Sequence, residues 1–359
     1  MYRPLRYLAI IFIMMPAMVL GRQAPQAPSL PNPPAPAPVA EPCPQVKIAM
    51  VDPEGPRMII ARTEVQRYDA EKRKTFEKTY KVSSSDILNI ENKYGRVHVN
   101  TWNKKEIQVK VDMIARAGSE SKATDMLNRM KVEENREGKT ISLKTVYEPA
   151  RMSGSSSSEI NYTIYMPEDN AITIKNTYGD VYLASLKGKA DINLRYGNLK
   201  SDRLENNSNT LKLTYGSGSC SYINGGNLEV AYFDVNVGKA NGLNGFTKYS
   251  NLVITDLDRE LDMDMKYGSL RVSNVSNNIR NIKLASTYIP ISLKFADNSA
   301  FNFDVNVQYG DFKVDKSNVN ITSLEKDYTS AAYKGRFGTS SGKGAVTITS
   351  KYGDVRFIK

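Results

Sequence analysis

The sequence predicts a mainly β protein built as a parallel β-solenoid, a stack of short copies of one repeat. Two observations lead to this prediction. A Tyr-Gly motif recurs at short and nearly constant intervals, and the residues around each copy alternate between apolar and polar. Alternation with a period of two indicates strands with one buried face. Because a repeat this short cannot bury its own face, successive copies must stack.

The repeat is most regular between Tyr178 and Tyr309, where successive tyrosines are 17 to 21 residues apart. Copies such as TYGDVYL and QYGDFKV retain the motif, whereas AYFDVNV and KYSNLVI are degenerate. The step from Tyr309 to Tyr352 is 43 residues, or two such periods, with Tyr333 as a candidate off-pattern intermediate. One tyrosine per copy defines the tyrosine column: Tyr94, Tyr178, Tyr196, Tyr215, Tyr232, Tyr249, Tyr267, Tyr288, Tyr309 and Tyr352.

The phase of the apolar residues predicts a corner at each tyrosine. Ile192 and Leu194 precede Tyr196 at alternate positions, but after the motif the apolar residues return at the third and fifth positions, as in Val181 and Leu183. Such a shift at glycine is typical of a bulge or corner that keeps the apolar face inward. Equivalent positions of neighbouring copies lie about 4.8 Å apart, so we expect the rings to form a structural ladder. An aromatic platform for sugars is the alternative.

The N-terminal segments predict export. Residues 1–21 are typical of a secretory signal peptide, with Arg3 and Arg6 ahead of an apolar stretch that is shorter than the roughly 20 residues of a membrane-spanning helix. An uncleaved anchor is the alternative. Residues 22–56 are rich in Pro and Ala and are expected to form a linker. Cleavage removes two arginines and lowers the net charge from +11 to +9, and it leaves no predicted transmembrane domain.

Residues 57–170 are predicted to form an N-terminal cap of strands and one helix, and residues 171–359 the solenoid. Within the cap, EIQVKVDMIARA and EINYTIYMP alternate like strands, and SESKATDMLNRMK indicates an amphipathic helix with Ser119 as its N-cap. The last copy finishes at Lys359. We expect the irregular stretch 323–344 or a partner chain to cover its edge, so end-to-end or edge self-association is a candidate property.

The two cysteines have different surroundings in the sequence. Cys220 occupies an inward position, five residues after Tyr215, and is expected to be a buried, inert thiol. Cys43 lies in the Pro-rich linker and is expected to be exposed. A disulfide between the two is the alternative in an oxidising compartment.

Several segments resemble the bacterial putative adhesin family. They are KTFEKTYKV, LNIENKYGRVHVNTWNKKEIQVKV, NYTIYMP and the repeated YGDV-type copies. The resemblance covers roughly residues 75–359, and its most specific parts are the stretch around Trp102 and the recurrent Tyr-Gly. It implies an extracytoplasmic β-solenoid of unknown function, akin to auto-transporter adhesin head domains, and it supplies no catalytic or ligand residues. The same resemblance suggests a periplasmic accessory of envelope stress signalling as one alternative function.

The residues predict no catalytic, cofactor-binding or metal-binding site. One His and two Cys are too few for a Cys/His zinc cluster, and His98 is expected to point outward alone. A carbohydrate-active β-helix enzyme is the other alternative, and it needs clustered carboxylates. Asp180, Asp234 and Asp311 each lie two residues after a tyrosine, but no two Asp occupy neighbouring copies within the regular run. We therefore expect a non-enzymatic protein without a cofactor.

Basic residues precede several tyrosines, on the solvent side of the predicted sheet. They are a candidate site for anionic glycans or envelope polymers, and solubility with protection of the sheet is the alternative. Nucleic acid is not an expected partner of an exported chain. The sequence thus predicts a binding, adhesin-like or scaffold protein of the cell envelope, in the periplasm or at the cell surface. The basic column consists of Lys93, Arg195, Lys248, Lys266 and Lys351.

Overall fold

The computed structural model describes residues 68–148, 155–339 and 342–359. Within them the protein is mainly β, as predicted, with twenty strands, one α-helix and one short 3-10 helix. The predicted signal peptide, residues 1–21, and the predicted linker, residues 22–56, lie outside the described residues.

Seven strands and the helix precede the regular repeat. They are β1 (Ala70–Lys81), β2 (Ile87–Lys93), β3 (Val97–Trp102), β4 (Glu106–Ala117), α1 (Glu120–Asn128), β5 (Met130–Glu137), β6 (Thr140–Tyr147) and β7 (Ser156–Pro167). β2 and β3 flank Tyr94 and alternate between buried and less buried residues, so they form the first copy of the repeat. The helix begins after Ser119, whose Oγ accepts a hydrogen bond from the backbone N–H of Lys122.

Nine further strands carry the repeat. They are β8 (Ala171–Thr177), β9 (Val181–Leu183), β10 (Ala190–Leu204), β11 (Asn209–Ile223), β12 (Gly226–Val275), β13 (Asn281–Thr287), β14 (Ile291–Phe295), β15 (Phe301–Gln308) and β16 (Phe312–Lys313). β10 and β11 each run through one member of the tyrosine column, and β12 runs through three. The strand pairing therefore continues on both sides of the corner at the tyrosine, although the tyrosine itself has a positive φ.

Neighbouring copies pair in parallel and in register. Leu194 lies opposite Leu213, and Leu213 lies opposite Val230. Strands before the tyrosines form one row of parallel strands, and strands after them form a second row, as β2 with β8 and β3 with β9 show. The inward side chains of both rows belong to one apolar cluster. The apolar core therefore runs along the whole stack.

Cys220 lies within this core. It is 2% exposed, and burial raises the pKa of its thiol to about 12. A thiol with so high a pKa is almost entirely protonated at neutral pH, and the thiolate is the reactive form of cysteine. Cys43 lies outside the described residues, so a pairing of the two cysteines stays a prediction.

The order of copies in the stack departs from their order in the sequence. The last elements are a 3-10 helix (Lys316–Asn318), β17 (Val319–Lys326), β18 (Ser330–Phe337), β19 (Gly344–Lys351) and β20 (Val355–Ile358). β19 pairs in parallel with both β13 and β15, and β20 pairs with both β14 and β16. The copy around Tyr352 is therefore inserted between the copies around Tyr288 and Tyr309.

This insertion corrects the expectation that the copy around Tyr352 ends the stack. The copy around Tyr309 lies at the end instead, and β18 covers it by antiparallel pairing with β15. The stretch 323–344, expected to be irregular, contains most of the hairpin β17–β18. Tyr333 lies in β18, where its ring packs against Phe312 and not in the tyrosine column. Insertion gives β19 a partner on each side, so its backbone polar groups are paired in both directions.

At the opposite end, antiparallel strands flank the first copy. β7 pairs in parallel with β3, β4 pairs with β7, and β1 pairs with β4. In the other row β6 pairs with β2, and β5 pairs with β6. The outermost strands β1 and β5 are rich in Lys, Arg and Glu, which discourages further strand addition at these edges.

We expect Gly197→Ala to destabilise the protein, because the neighbouring copy leaves no room for a Cβ at this glycine after the tyrosine. A Cβ at Gly197 would lie 2.2 Å from the carbonyl oxygen of Gly179 in the neighbouring copy. Overpacking against backbone costs roughly 3 kcal/mol of the free energy of unfolding, which urea denaturation measures. Gly118→Ala is the control, because a Cβ there meets nothing within 4 Å. Equal stability of the two variants would contradict this explanation of the glycine.

Candidate functional site

The ten residues of the tyrosine column share an unusual backbone conformation. Their φ angles lie between 51° and 64°, and in the part of the chain that the structure describes no other non-glycine residue has a positive φ. The left-handed region costs an L-residue with a Cβ roughly 1–2 kcal/mol. Because the same cost recurs in every copy, the surrounding structure must offset it in every copy.

The tyrosine rings stack face to face along the whole column. Centroids of neighbouring rings lie 4.7 to 5.5 Å apart, and their planes deviate by 1° to 11°. A stacked aromatic pair contributes about 0.5–1.5 kcal/mol beyond the burial of its area. The stack therefore supplies a stabilisation of the same size as the backbone cost. Tyr352 stacks between Tyr288 and Tyr309, as the order of the strands requires.

Stacking leaves few ring faces free. Inside the column each ring is covered on both faces by its neighbours, and at the first copy the ring of Tyr147 meets Tyr94 edge-on at 6.0 Å. Tyr309 stacks on Tyr352 alone among the described rings, and it is 50% exposed. A sugar binds to the face of an aromatic ring. Within the tyrosine column, the aromatic platform for sugars, which is the alternative interpretation of the sequence, is therefore restricted to Tyr309.

The position two residues after each tyrosine forms a hydrogen-bonded ladder. Asp180 Oδ1 accepts hydrogen bonds from the backbone and side-chain amides of Asn198, at 2.7 and 3.1 Å, and Asn198 Oδ1 accepts one from the Ser217 hydroxyl. The same series recurs in the next three copies, at Asp234, Asn251 and Ser269. Asp180 and Asp234 therefore join neighbouring copies, as turn residues do.

The inserted copy brings two aspartates together that are far apart in the sequence. Asp354 Oδ1 accepts a hydrogen bond from the backbone N–H of Asp311 at 3.0 Å. The Lys313 ammonium, and after it this N–H, hold the pKa of the Asp354 carboxyl below its usual value. A general acid near neutral pH needs a raised pKa instead. Asp311 and Asp354 are thus neighbours, but the carboxyl of Asp354 is held in an ion pair with Lys313.

All five residues of the basic column are exposed. Among the described residues no carboxylate lies within 4.0 Å of any of them, whereas Lys175 and Lys212, two positions earlier in their copies, pair with Glu91 and Glu229. Lys248 and Lys266 lie in neighbouring copies, and copies with Thr, Ala or Gln at this position separate the other members. The basic column is therefore a discontinuous row of cations without carboxylate partners on the outer face of the first row of strands, and all of them except Lys266 lie over an aromatic ring.

His98 is exposed, as expected, but it is not isolated. Its ring lies 5.6 Å from the ring of Tyr182, whose hydroxyl donates to Asp180 Oδ2 at 3.2 Å. In the described ranges no group of three or more His, Cys, Asp or Glu side chains is arranged to hold a metal ion. Nor does any described helix combine the length and the apolar character that crossing a membrane requires.

Comparison with protein families decides the relationship of the chain. The model of the family described as Toastrack DUF4097 matches residues 85–357, well over half of the sequence. The chain belongs to the Toastrack family. This confirms the resemblance to a putative adhesin family of unknown function.

Several solved structures are similar to this Toastrack chain. A "putative adhesin" from Bacteroides fragilis is 12% identical, with a TM-score of 0.35, and the match covers 79% of this chain and 97% of that one. A "putative adhesin" from Parabacteroides merdae is 10% identical, with a TM-score of 0.32 and coverages of 80% and 97%. A "putative lipid binding protein" from Parabacteroides distasonis is 9% identical, with a TM-score of 0.35 and coverages of 79% and 97%. No curated protein matches.

We expect the stability of the Toastrack domain to depend on the tyrosine rings and not on their hydroxyls. Tyr232→Ala removes two stacked contacts and should lower the free energy of unfolding by about 1–3 kcal/mol, whereas Tyr232→Phe keeps both contacts and should change it little. Tyr309→Ala removes one contact and should cost about half as much. Urea denaturation compares the three variants. A loss in Tyr232→Phe as large as in Tyr232→Ala would instead assign the stabilisation to the hydroxyl.

We also expect stability to fall above about pH 10. Burial, and then the charge of neighbouring tyrosines, raises the pKa of Tyr215, of Tyr249 and of Tyr288. Above the pKa of an unfolded tyrosine the folded state holds protons that the unfolded state has lost, so the free energy of unfolding declines as pH rises. Urea denaturation at about pH 8 and about pH 11, with tyrosinate absorbance, measures this. Tyr215→Phe should weaken the decline, and an unchanged stability would contradict it.

Proposed function

We propose that the stacked copies form a parallel β-solenoid that acts, after export, as a non-enzymatic binding or scaffold module of the cell envelope, of the adhesin-like kind. The observation that carries this proposal is the unbroken tyrosine column with its in-register parallel strands. Ten copies spaced by about 4.8 Å give a stack roughly 45 Å long. Such a stack holds outward side chains in columns with a fixed spacing, which suits the binding of extended polymers.

The basic column is the proposed contact for an anionic polymer. Its members are exposed and have no acidic partner among the described residues, so their charge is available to a ligand, whereas Lys175 and Lys212 are neutralised by neighbouring glutamates. Unpaired cations on one face create a positive potential that attracts polyanions. An acidic glycan or another anionic envelope polymer is the chemistry that fits this face.

Export is proposed from the sequence of residues 1–21 and 22–56, which indicate a signal peptide and an extended linker. A linker of this composition holds the folded part away from its point of attachment. The periplasm and the cell surface both agree with this arrangement. The mature chain, residues 22–359, is therefore the form to which the proposal applies.

A carbohydrate-active enzyme is supported less well. The proximity of Asp311 and Asp354 favours it, but the Lys313 ammonium neutralises Asp354 and lowers the pKa of its carboxyl. Asp180 and Asp234 are occupied in hydrogen bonds between copies. The carboxylates in this column thus act as acceptors within the fold, and the non-enzymatic proposal is the better account of them.

We expect Lys248→Gln with Lys266→Gln to weaken binding of the mature chain to alginate, an acidic polysaccharide, by about tenfold or more, since each lost cation removes roughly 1 kcal/mol of attraction. Binding should also weaken as salt is added, and uncharged dextran should not bind. Isothermal titration calorimetry or a binding assay on immobilised alginate measures the affinity.

Lys175→Gln with Lys212→Gln is the matched control, because it removes the same net charge from cations that are already paired. This control should bind alginate nearly as well as the unmodified chain. Equal losses in the two double variants would show that net charge alone matters and that the basic column is not a site. Absence of any alginate binding would count against a polyanion partner altogether.

A further inference from the structure

We propose that the open end of the tyrosine column, formed by Tyr309 and the cleft beside it, binds a pyranose sugar residue. This inference rests on the proposed function and deepens it, since it names a class of ligand and a place for it. Three features of this end support it: a free aromatic face, a nearby cleft of suitable size, and polar groups in that cleft that match sugar hydroxyls.

The free aromatic face belongs to Tyr309. Its ring stacks on Tyr352 with centroids 4.8 Å apart and planes 5° apart, which covers one face. Among the described rings none covers the other face, and the residue is 50% exposed, more than any other member of the tyrosine column. The face of an aromatic ring is its electronegative part, so it attracts the C–H groups on the apolar side of a pyranose ring.

A cleft of about 540 Å³ begins at the residue before Tyr309, although the ring of Tyr309 does not itself line it. Gln308, which lines the cleft, directly precedes Tyr309, and Ser330 lines it from the hairpin. The backbone N–H of Tyr309 donates to the carbonyl oxygen of Thr329 at 2.8 Å, which fixes the hairpin turn next to the ring. Small-molecule sites are typically clefts of about 300–1,000 Å³, so a mono- or disaccharide fits this volume.

The cleft offers donors and acceptors of both charge signs. Lys326 and Lys351 donate hydrogen bonds, Glu325 and Asp327 accept them, and Gln308 does both. None of the four charged groups belongs to an ion pair within the described residues. Sugar hydroxyls are both donors and acceptors, so they match such a mixed lining. A polyanion does not, because the two carboxylates offset the two ammonium groups.

The test uses the mature chain, residues 22–359, and three probes: methyl β-glucopyranoside, methyl β-galactopyranoside and methyl β-glucuronide. Saturation-transfer NMR detects binding, and isothermal titration calorimetry measures affinity. We expect at least one probe to bind. Tyr309→Ala should weaken that binding more than tenfold, and Tyr309→Phe should retain it within about threefold, because the ring face and not the hydroxyl makes the contact.

Tyr165→Ala is the matched control. Tyr165 is 40% exposed and stacks on one ring, that of Trp102, but it lies in β7 among the strands at the opposite end of the stack. This variant should bind the sugar as the unmodified chain does. Circular dichroism and thermal unfolding of each variant establish that it is folded, and Tyr309→Leu, which is apolar but has no ring face, replaces Tyr309→Ala if that variant does not fold.

Two results would overturn the proposal: none of the three sugars binds, or binding is equal in the unmodified chain and in folded Tyr309→Ala. The alginate assay separates this failure from failure of the proposed function. Alginate binding that depends on Lys248 and Lys266, without sugar binding, rejects the Tyr309 site alone. Loss of both activities rejects both proposals.

Discussion

The stacking of the tyrosine rings is the interaction on which the rest of the structure depends. A tyrosine in the left-handed region is unfavourable by roughly 1–2 kcal/mol, and a stacked neighbour returns about 0.5–1.5 kcal/mol. In an isolated copy nothing would offset the cost of the left-handed tyrosine at the corner. The corner becomes stable only when the copies are in register and the rings meet, as with Tyr196 between Tyr178 and Tyr215 at 5.0 and 4.8 Å. The left-handed conformation of each tyrosine thus depends on the register of the neighbouring copies.

The same constraint decides where ligands can bind. Because ring faces inside the column are covered, the column itself offers only ring edges to solvent, and recognition is left to the outward positions and to the two ends. The outward cations divide into those that pair with a carboxylate, such as Lys175 with Glu91, and those without a carboxylate partner, such as Lys248. The ends also differ. Tyr94 meets the edge of Tyr147, whereas Tyr309 keeps an open face.

Much of the fold was predictable because it is encoded locally. The alternation around Ile192 and Leu194 identifies the buried face, and the constant spacing predicts that Leu194, Leu213 and Val230 are equivalent, as their register shows. The left-handed tyrosines were not predictable, because the glycine that follows seven of the ten is the better local candidate for a positive φ. At Gly197 the glycine serves close approach instead, with a carbonyl oxygen of the neighbouring copy 2.2 Å from where a Cβ would lie.

The position of the copy around Tyr352 in the stack could not be predicted from the sequence, for a different reason. The alternation in β19 specifies which face is buried, but it fits any neighbouring strand equally well, so the choice of neighbour is made by tertiary contacts. This choice has consequences for both candidate sites at that end. Tyr352 supplies the ring on which Tyr309 stacks, and Asp354 supplies the acceptor for the Asp311 N–H. Residues 301–337 therefore form the open end of the column because residues 344–358 lie between them and β13.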